Sequence, residues 1–265
     1  MSLGIVISCQ EGIVFASDSR LSLVFNKDDK NIISHFDHAK KIFSLSYPHE
    51  KIGILTVGAG SFKDRTAYSF ISDIEKRLGE RRLESVAEYA EFIASFYKEK
   101  YDELMGDTNT SNTARPMEMI FYVCGYDTEH YGKIYSFTIP SNTKPILVNG
   151  NNKRYSISMS GDSLITSRII TGIDQVSMGI IAKKINSSEN VQGVYNEIVN
   201  FSSLKIPFEM LSIDDCLLLA KTLIKTTINL KKVSIGEQNV GGKIVLGVIS
   251  RVEPFYYVDE SEIID

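Results

Sequence analysis

The chain has 265 residues, 43% hydrophobic and 23% charged, proportions that exclude a disordered chain, a collagen-like fibre and a disulfide miniprotein. Lys and Arg number 29 against 33 Asp and Glu, a net charge of −4 with a pI near 5.7, which speaks against a dedicated nucleic-acid binder. No apolar run approaches the roughly 18 residues of a membrane span, no basic-then-apolar secretory leader opens the sequence, and Cys9, Cys124 and Cys216 read as buried reduced thiols, so a cytoplasmic location is expected.

Gly4 to Ser8 and Gly12 to Ala16 are Ile- and Val-rich runs separated by Gln10-Glu11-Gly12, the pattern of a hairpin. Leu21 to Asp37 is polar and reads as a long loop or an extended hairpin. Lys41 to Ser46 and Ile52 to Val57 form a second strand pair around Tyr47-Pro48-His49-Glu50. The period then changes. Asp64 to Leu78 carries a helical stripe, Ala67, Tyr68, Ile71, Ile74 and Leu78, with Gly79 after it. Ser85 and Glu88 form a capping box that opens a second helix, apolar at Val86, Tyr89, Ala90, Ile93, Phe96 and Tyr97.

Gly106 to Arg115 reads as a polar loop, Met119 to Tyr126 and Lys133 to Thr138 as a strand pair, and Tyr155 to Met159 as a further strand. A helix follows from about Ser163 into the 170s. Ser187 to Pro207 has no clean pattern, although Val191 to Phe201 could hold a short helix. Ser212-Ile213-Asp214-Asp215 caps a strong helix. Lys243 to Ser250 and Arg251 to Val258 read as closing strands. No repeat, low-complexity tract or linker interrupts the chain, so residues 1–265 are expected to form a single domain. Strands joined by tight turns pair antiparallel, and the helices come in pairs, not one after each strand. The expected class is α+β: a four-layer αββα sandwich of two antiparallel sheets flanked by helix pairs.

Common catalytic signatures are missing: there is no phosphate loop, no Gly-x-Ser-x-Gly elbow, no Cys-x-x-Cys and no His-Glu-x-x-His. His35, His38, His49 and His130 read as solvated loop or turn residues. No metal or organic cofactor is implied. One chemistry needs no histidine. An N-terminal Ser, Thr or Cys can use its own α-amino group, with a pKa near 8, as the base. A neighbouring lysine helps to activate the hydroxyl, a buried carboxylate must hold that lysine, and a backbone N–H from a glycine turn can take the oxyanion. The sequence offers Ser2 behind a removable Met1, Asp18 within Phe15-Ala16-Ser17-Asp18-Ser19-Arg20, Lys41 within Lys40-Lys41-Ile42-Phe43, and Gly58 within Val57-Gly58-Ala59-Gly60. Strand neighbours face opposite ways, which makes Lys40 the exposed lysine of its pair.

These segments, with Val123-Cys124-Gly125-Tyr126-Asp127, Met159-Ser160-Gly161-Asp162-Ser163 and Gly241-Gly242-Lys243-Ile244-Val245, follow one another in the order of the proteasome β-type N-terminal-nucleophile hydrolases. The chain resembles that family, and among its branches the bacterial Anbu-type proteasome homologues. The resemblance implies that Ser2 is the nucleophile, that Asp18 orients Lys41, that Gly58 supplies the oxyanion N–H and that Ser160 helps to shuttle protons. It also implies a peptide or unfolded-protein substrate and a ring or helical homo-oligomer with a possible unfoldase ATPase, and neither nucleic acid nor membrane as a partner.

The departures from the family are specific. The nucleophile position holds Ser where the family has Thr, a second family aspartate falls on Glu237, and a family serine falls on Val240. The stretch from Ser163 to Leu211 is longer than the family pattern needs. With Met1 in place, Ser2 would carry an amide nitrogen and the base would be missing. Two other functions therefore stay open: a proteasome-like structural subunit that does not cleave, and a non-peptidase amidase of the same superfamily.

Overall fold

The computed structural model describes residues 2–27, 30–106, 118–127, 131–150, 153–185 and 188–263. Most of the polar loop expected over Gly106 to Arg115, and His130, lie outside them. The contacts divide the chain into two compact units, Met1–Gly161 with Phe208–Asp265, and Asp162–Pro207.

The larger unit is built on two five-stranded antiparallel sheets. The first has the order β12-β1-β2-β13-β14, from Ser156–Gly161 (β12), Leu3–Ser8 (β1), Gly12–Asp18 (β2), Ile244–Ser250 (β13) and Tyr256–Val258 (β14). The second has the order β11-β10-β9-β6-β5, from Asn142–Leu147 (β11), Lys133–Ile139 (β10), Met119–Gly125 (β9), Ile52–Gly58 (β6) and Ile42–Ser44 (β5). Leu21–Lys27 (β3) and Lys30–Phe36 (β4) pair as a separate extended hairpin, and Ser61–Phe62 (β7) with Arg65–Thr66 (β8) as a short one.

The sequence of β1 and β2 explains their place. Every residue of both is buried, as a run of Ile, Val, Phe and Ala with no polar face must be when a sheet is covered on both sides. Val6, Ile13, Phe15 and Ile249 of the first sheet pack against Leu55, Tyr122, Cys124 and Ile134 of the second. On the far side of the first sheet lies α6 (Ile213–Val233), which packs on β2, β13 and β1. Its start is fixed by a full capping box between Ser212 and Asp215. Against the second sheet lie α1 (Ile71–Leu78) and α2 (Val86–Met105), whose Ile74, Ile93, Phe96 and Tyr97 join Phe121, Val123 and Phe137 in one cluster.

The smaller unit holds α3 (Leu164–Thr171), α4 (Gln175–Lys184) and α5 (Ser188–Ser202). Asp174 caps α4 by accepting from the Ser177 amide at 2.9 Å, and the Leu204 amide donates to the Ile170 carbonyl at 2.9 Å.

Several expectations need correction in detail. Arg251 to Val258 is strand only from Tyr256 onward. Asp64 to Leu78 opens with β8, the second arm of the short β7–β8 hairpin, and a 3-10 turn over Ala67–Phe70 before α1 begins. Between β12 and α6, the helix expected from about Ser163 is α3 and the short one left open over Val191 to Phe201 is α5, while α4 between them was not expected. An unexpected strand, β11, contains Pro145, which lacks a ladder donor; it is tolerated because β11 is the edge of its sheet. His49 is not solvated: it is 3% exposed and bridges the Tyr89 hydroxyl at 2.7 Å and the Gly79 carbonyl at 2.9 Å.

The two sheets approach closely at Gly4. A Cβ there would lie 2.5 Å from Val57 Cγ1 and 3.0 Å from Leu55 Cδ2, both on β6. Gly4→Ala is expected to lose about 1–3 kcal/mol by overpacking. Gly106→Ala, at the end of α2 with nothing within 4 Å of the added carbon, is expected to change stability by less than about 1 kcal/mol. Urea unfolding of the two variants tests this, and equal losses would overturn the close-approach argument.

Candidate functional site

The site begins where β2 ends. Asp18 is fully buried, and a carboxylate without water must have its oxygens satisfied by protein donors. It has four. Oδ1 accepts from the Leu3 amide at 3.0 Å and the Lys41 ammonium at 2.8 Å. Oδ2 accepts from the Arg20 amide at 3.2 Å and the Gly241 amide at 3.0 Å. Lys41, just before β5, is 6% exposed, while Lys40 is exposed at the Tyr68 ring. Burial pulls the Lys41 pKa below its ordinary 10.5, and the Asp18 charge works against that fall.

The two residues after Asp18 hold its surroundings. The Ser19 hydroxyl donates to the Asp37 carbonyl at 2.7 Å and accepts from the Lys243 amide at 2.8 Å. The Arg20 guanidinium makes a bidentate pair with the Asp37 carboxylate at 2.7 and 2.8 Å and donates to the Gln238 carbonyl at 3.1 Å. The triplet thereby ties the segment before β5 to the Gly241-Gly242 turn, and both deliver donors to Asp18.

Ser2, Lys41, Thr56, Gly58 and Ala59 line one cavity of about 30 Å³, enough to hold a water molecule. Ser2 is 7% exposed. Gly58 closes β6 at φ 101°, where a Cβ would sit 2.4 Å from the Glu118 carbonyl oxygen, so only glycine fits without strain. The Thr56 amide donates to the Lys41 carbonyl and the Ala59 amide to the Glu118 carbonyl, on opposite edges of the strand. Amides alternate along a strand, so the Gly58 N–H points to the Lys41 edge, past the start of β5. Ser160 lies on β12 directly across from Gly4, and its hydroxyl meets the Tyr122 hydroxyl at 2.5 Å. Burial raises the Tyr122 pKa.

Neither a protein-family model nor a curated protein matches the chain. Solved structures do. The helical assembly of the Anbu complex from Pseudomonas aeruginosa matches with a TM-score of 0.56 and 19% identity, over 97% of this chain and 87% of that one. Anbu (ancestral beta-subunit) from Yersinia bercovieri matches with a TM-score of 0.55 and 13% identity, over 97% of this chain and 88% of that one. The fold is that of the Anbu proteins.

On this Anbu fold, four of the five sequence-predicted residues gather at one end of the larger unit. Asp18 and Lys41 are in direct contact, and Ser2 and Gly58 share a cavity with Lys41. Ser160 is connected through the β1–β12 ladder and bonds to Tyr122 across the sheets. Glu237 is exposed and accepts from the Asn239 side chain at 2.6 Å, while Val240 is buried next to the Gly241 that serves Asp18. Asp37, Gly241 and Tyr122 were missed from the sequence. Arg20 and Ser19 signalled Asp37 only as unassigned polar neighbours of Asp18. Nothing in the strand pattern singled out Tyr122 from the other aromatic residues.

The geometry predicts an asymmetry. In Asp18→Asn, Lys41 stays buried without its counter-charge, and the expected loss is about 3–5 kcal/mol. In Lys41→Met, Asp18 keeps three backbone donors, and the expected loss is smaller. The sign with pH follows from Lys41. Its folded-state pKa lies below 10.5, so between those values the unfolded chain binds more protons and this group's contribution to stability rises with pH. The rise is expected to be steeper in Asp18→Asn and absent in Lys41→Met. Urea titrations at neutral and alkaline pH measure both effects; an equal loss in the two variants would contradict the donor assignment.

Proposed function

We propose that the protein is a proteasome-like peptidase with Ser2, freed of Met1, as an N-terminal nucleophile, acting within a homo-oligomeric assembly. The observation that carries this reading is the buried Lys41–Asp18 pair at 2.8 Å beside the cavity that Ser2 and Gly58 line. A buried lysine held by a carboxylate next to an N-terminal serine and a free strand-end amide is the set of groups that acyl transfer without histidine requires.

The mechanism runs through these groups. The Ser2 Oγ attacks the peptide carbonyl, and its proton passes to the Ser2 α-amino group. Lys41, kept in place by Asp18, lowers the pKa of that amine through its charge. The Gly58 N–H takes the developing oxyanion. The α-ammonium then gives its proton to the leaving amine, and water hydrolyses the ester that remains, returning the Ser2 hydroxyl. Ser160 joins the proton path on the Ser2 side. Serine lacks the methyl group that fixes the threonine rotamer, which suits a slower nucleophile.

The same reading includes the four-layer αββα sandwich, with α6 on the outer face of the first sheet. It also includes a ring or helical assembly, like the helical one of the Pseudomonas neighbour, and an unfoldase ATPase that would feed it unfolded chains in the cytoplasm. A second reading, an assembly subunit that does not cleave, is favoured by Val240, which puts a buried apolar side chain where the resembled family has a serine.

Intact-mass measurement of the natural-length protein, followed by treatment with a peptide epoxyketone, decides between them. Such a probe needs both a hydroxyl and a free amine on one residue. The peptidase reading expects loss of Met1, one adduct on Ser2, none in Ser2→Ala, and labelling strongly slowed in Lys41→Ala, where no lysine charge lowers the pKa of the amine. A retained Met1 would leave the non-cleaving subunit; a freed Ser2 that stays unlabelled would leave that subunit or the non-peptidase amidase.

A further inference from the structure

The larger unit carries a groove of about 530 Å³ between the first turns of α6 and the edge strand β14. Leu218, Tyr256 and Tyr257 give it apolar walls, and Asp214, Asp215 and Glu262 give it three carboxylates. Asp215 is engaged with Ser212 in the capping box. Lys221 lies close by and donates to the Ile263 carbonyl at 2.9 Å, so the groove remains acidic overall. The other end of the same helix has the opposite character. Lys231 and Lys232 form its last turn, and Val233 and Ile235 next to them are 82% and 107% exposed.

A basic end with two bare aliphatic side chains complements an acidic groove with apolar walls, in charge and in burial together. The two cannot meet in one chain. They are separated by the 21 residues of α6, about 30 Å at the α-helical rise. A contact between the groove of one copy and the basic end of the next is heterologous, and heterologous contacts propagate into rings or helices.

We propose that the acidic groove at the start of α6 receives the Lys231–Ile235 end of α6 from a second copy of this chain. The inference rests on the assembly reading above and gives it a surface. Sedimentation velocity of the full-length protein tests it with two charge reversals, Asp214→Lys with Glu262→Lys, and Lys231→Glu with Lys232→Glu. Each pair alone makes both surfaces the same sign, and each is expected to reduce the wild-type multimer several-fold in mass while the circular dichroism spectrum stays unchanged. An equimolar mixture of the two proteins restores opposite signs at every junction and is expected to regain the multimer. A wild type that is itself monomeric would overturn the assembly reading and this contact with it. A wild-type multimer whose mass survives both reversals would overturn this contact alone and assign the groove to another partner. Loss of mass that mixing does not restore would overturn the pairing of these two surfaces. The second reversal lies on an exposed helix end, so the test does not depend on the groove variant folding normally.

Discussion

A charged carboxylate with no access to water has to be surrounded by donors, and the larger unit is arranged so that Asp18 has them. One is the Leu3 amide of the neighbouring strand β1, one the Arg20 amide two residues on, one comes from the Gly241 turn, and one from the Lys41 ammonium. The first three are fixed by backbone and do not depend on rotamers. They satisfy the carboxylate oxygens, and the carboxylate in turn makes it tolerable to bury Lys41. Without the amides, the pair would carry two desolvation costs against a single contact.

Glycine is what lets this arrangement close. Gly4 allows β1 to lie against Val57 and Leu55 of the facing sheet, which brings the start of the chain within reach of the end of β6. Gly58 then turns the backbone at a positive φ, and its amide falls on the edge where β5 has not yet begun. One glycine removes a side chain so that two sheets can meet; the other removes a Cβ so that an N–H can face a cavity. Neither effect depends on the side chain at position 2, where the proposed function puts its nucleophile. The same scaffold would serve a serine or a threonine at position 2.

What the sequence disclosed depended on how local the signal was. The β1–β2 hairpin, the capping of α2 and α6, and the Asp18-Ser19-Arg20 triplet are written in consecutive residues, and each lies where expected. Lys41 was legible because its neighbour Lys40 had to face the other way. Elements that owe their state to tertiary placement were not legible. β11 contains a proline that is acceptable only at a sheet edge. The strand expected over Arg251 to Val258 forms only at Tyr256–Val258, where β13 offers a ladder; its shorter extent was not legible. His49 looks like any turn histidine until Tyr89, forty residues on, supplies its partner. Gly241 and Tyr122 belong to the same class: the first acts through a backbone amide, which has no residue signature, and the second through a contact between sheets.

The partners of Asp18 span almost the whole sequence. The Leu3 amide lies 15 residues before it and the Gly241 amide 223 residues after it. The second contact forms only when β13 has returned to pair with β2, which requires the chain through α6 to have been laid on the sheet. Contacts this distant in sequence carry a large loop-closure cost and form late. Until they form, Asp18 lacks one of its donors and the dry surroundings that shift Lys41 are incomplete. A lysine whose altered basicity depends on the return of β13 does not yet have, in a half-folded chain, the surroundings that the proposed function requires. In the proposed peptidase, the long-range tether that stabilises the site would therefore also withhold it until the chain has folded, a useful property where the proposed substrate is unfolded polypeptide.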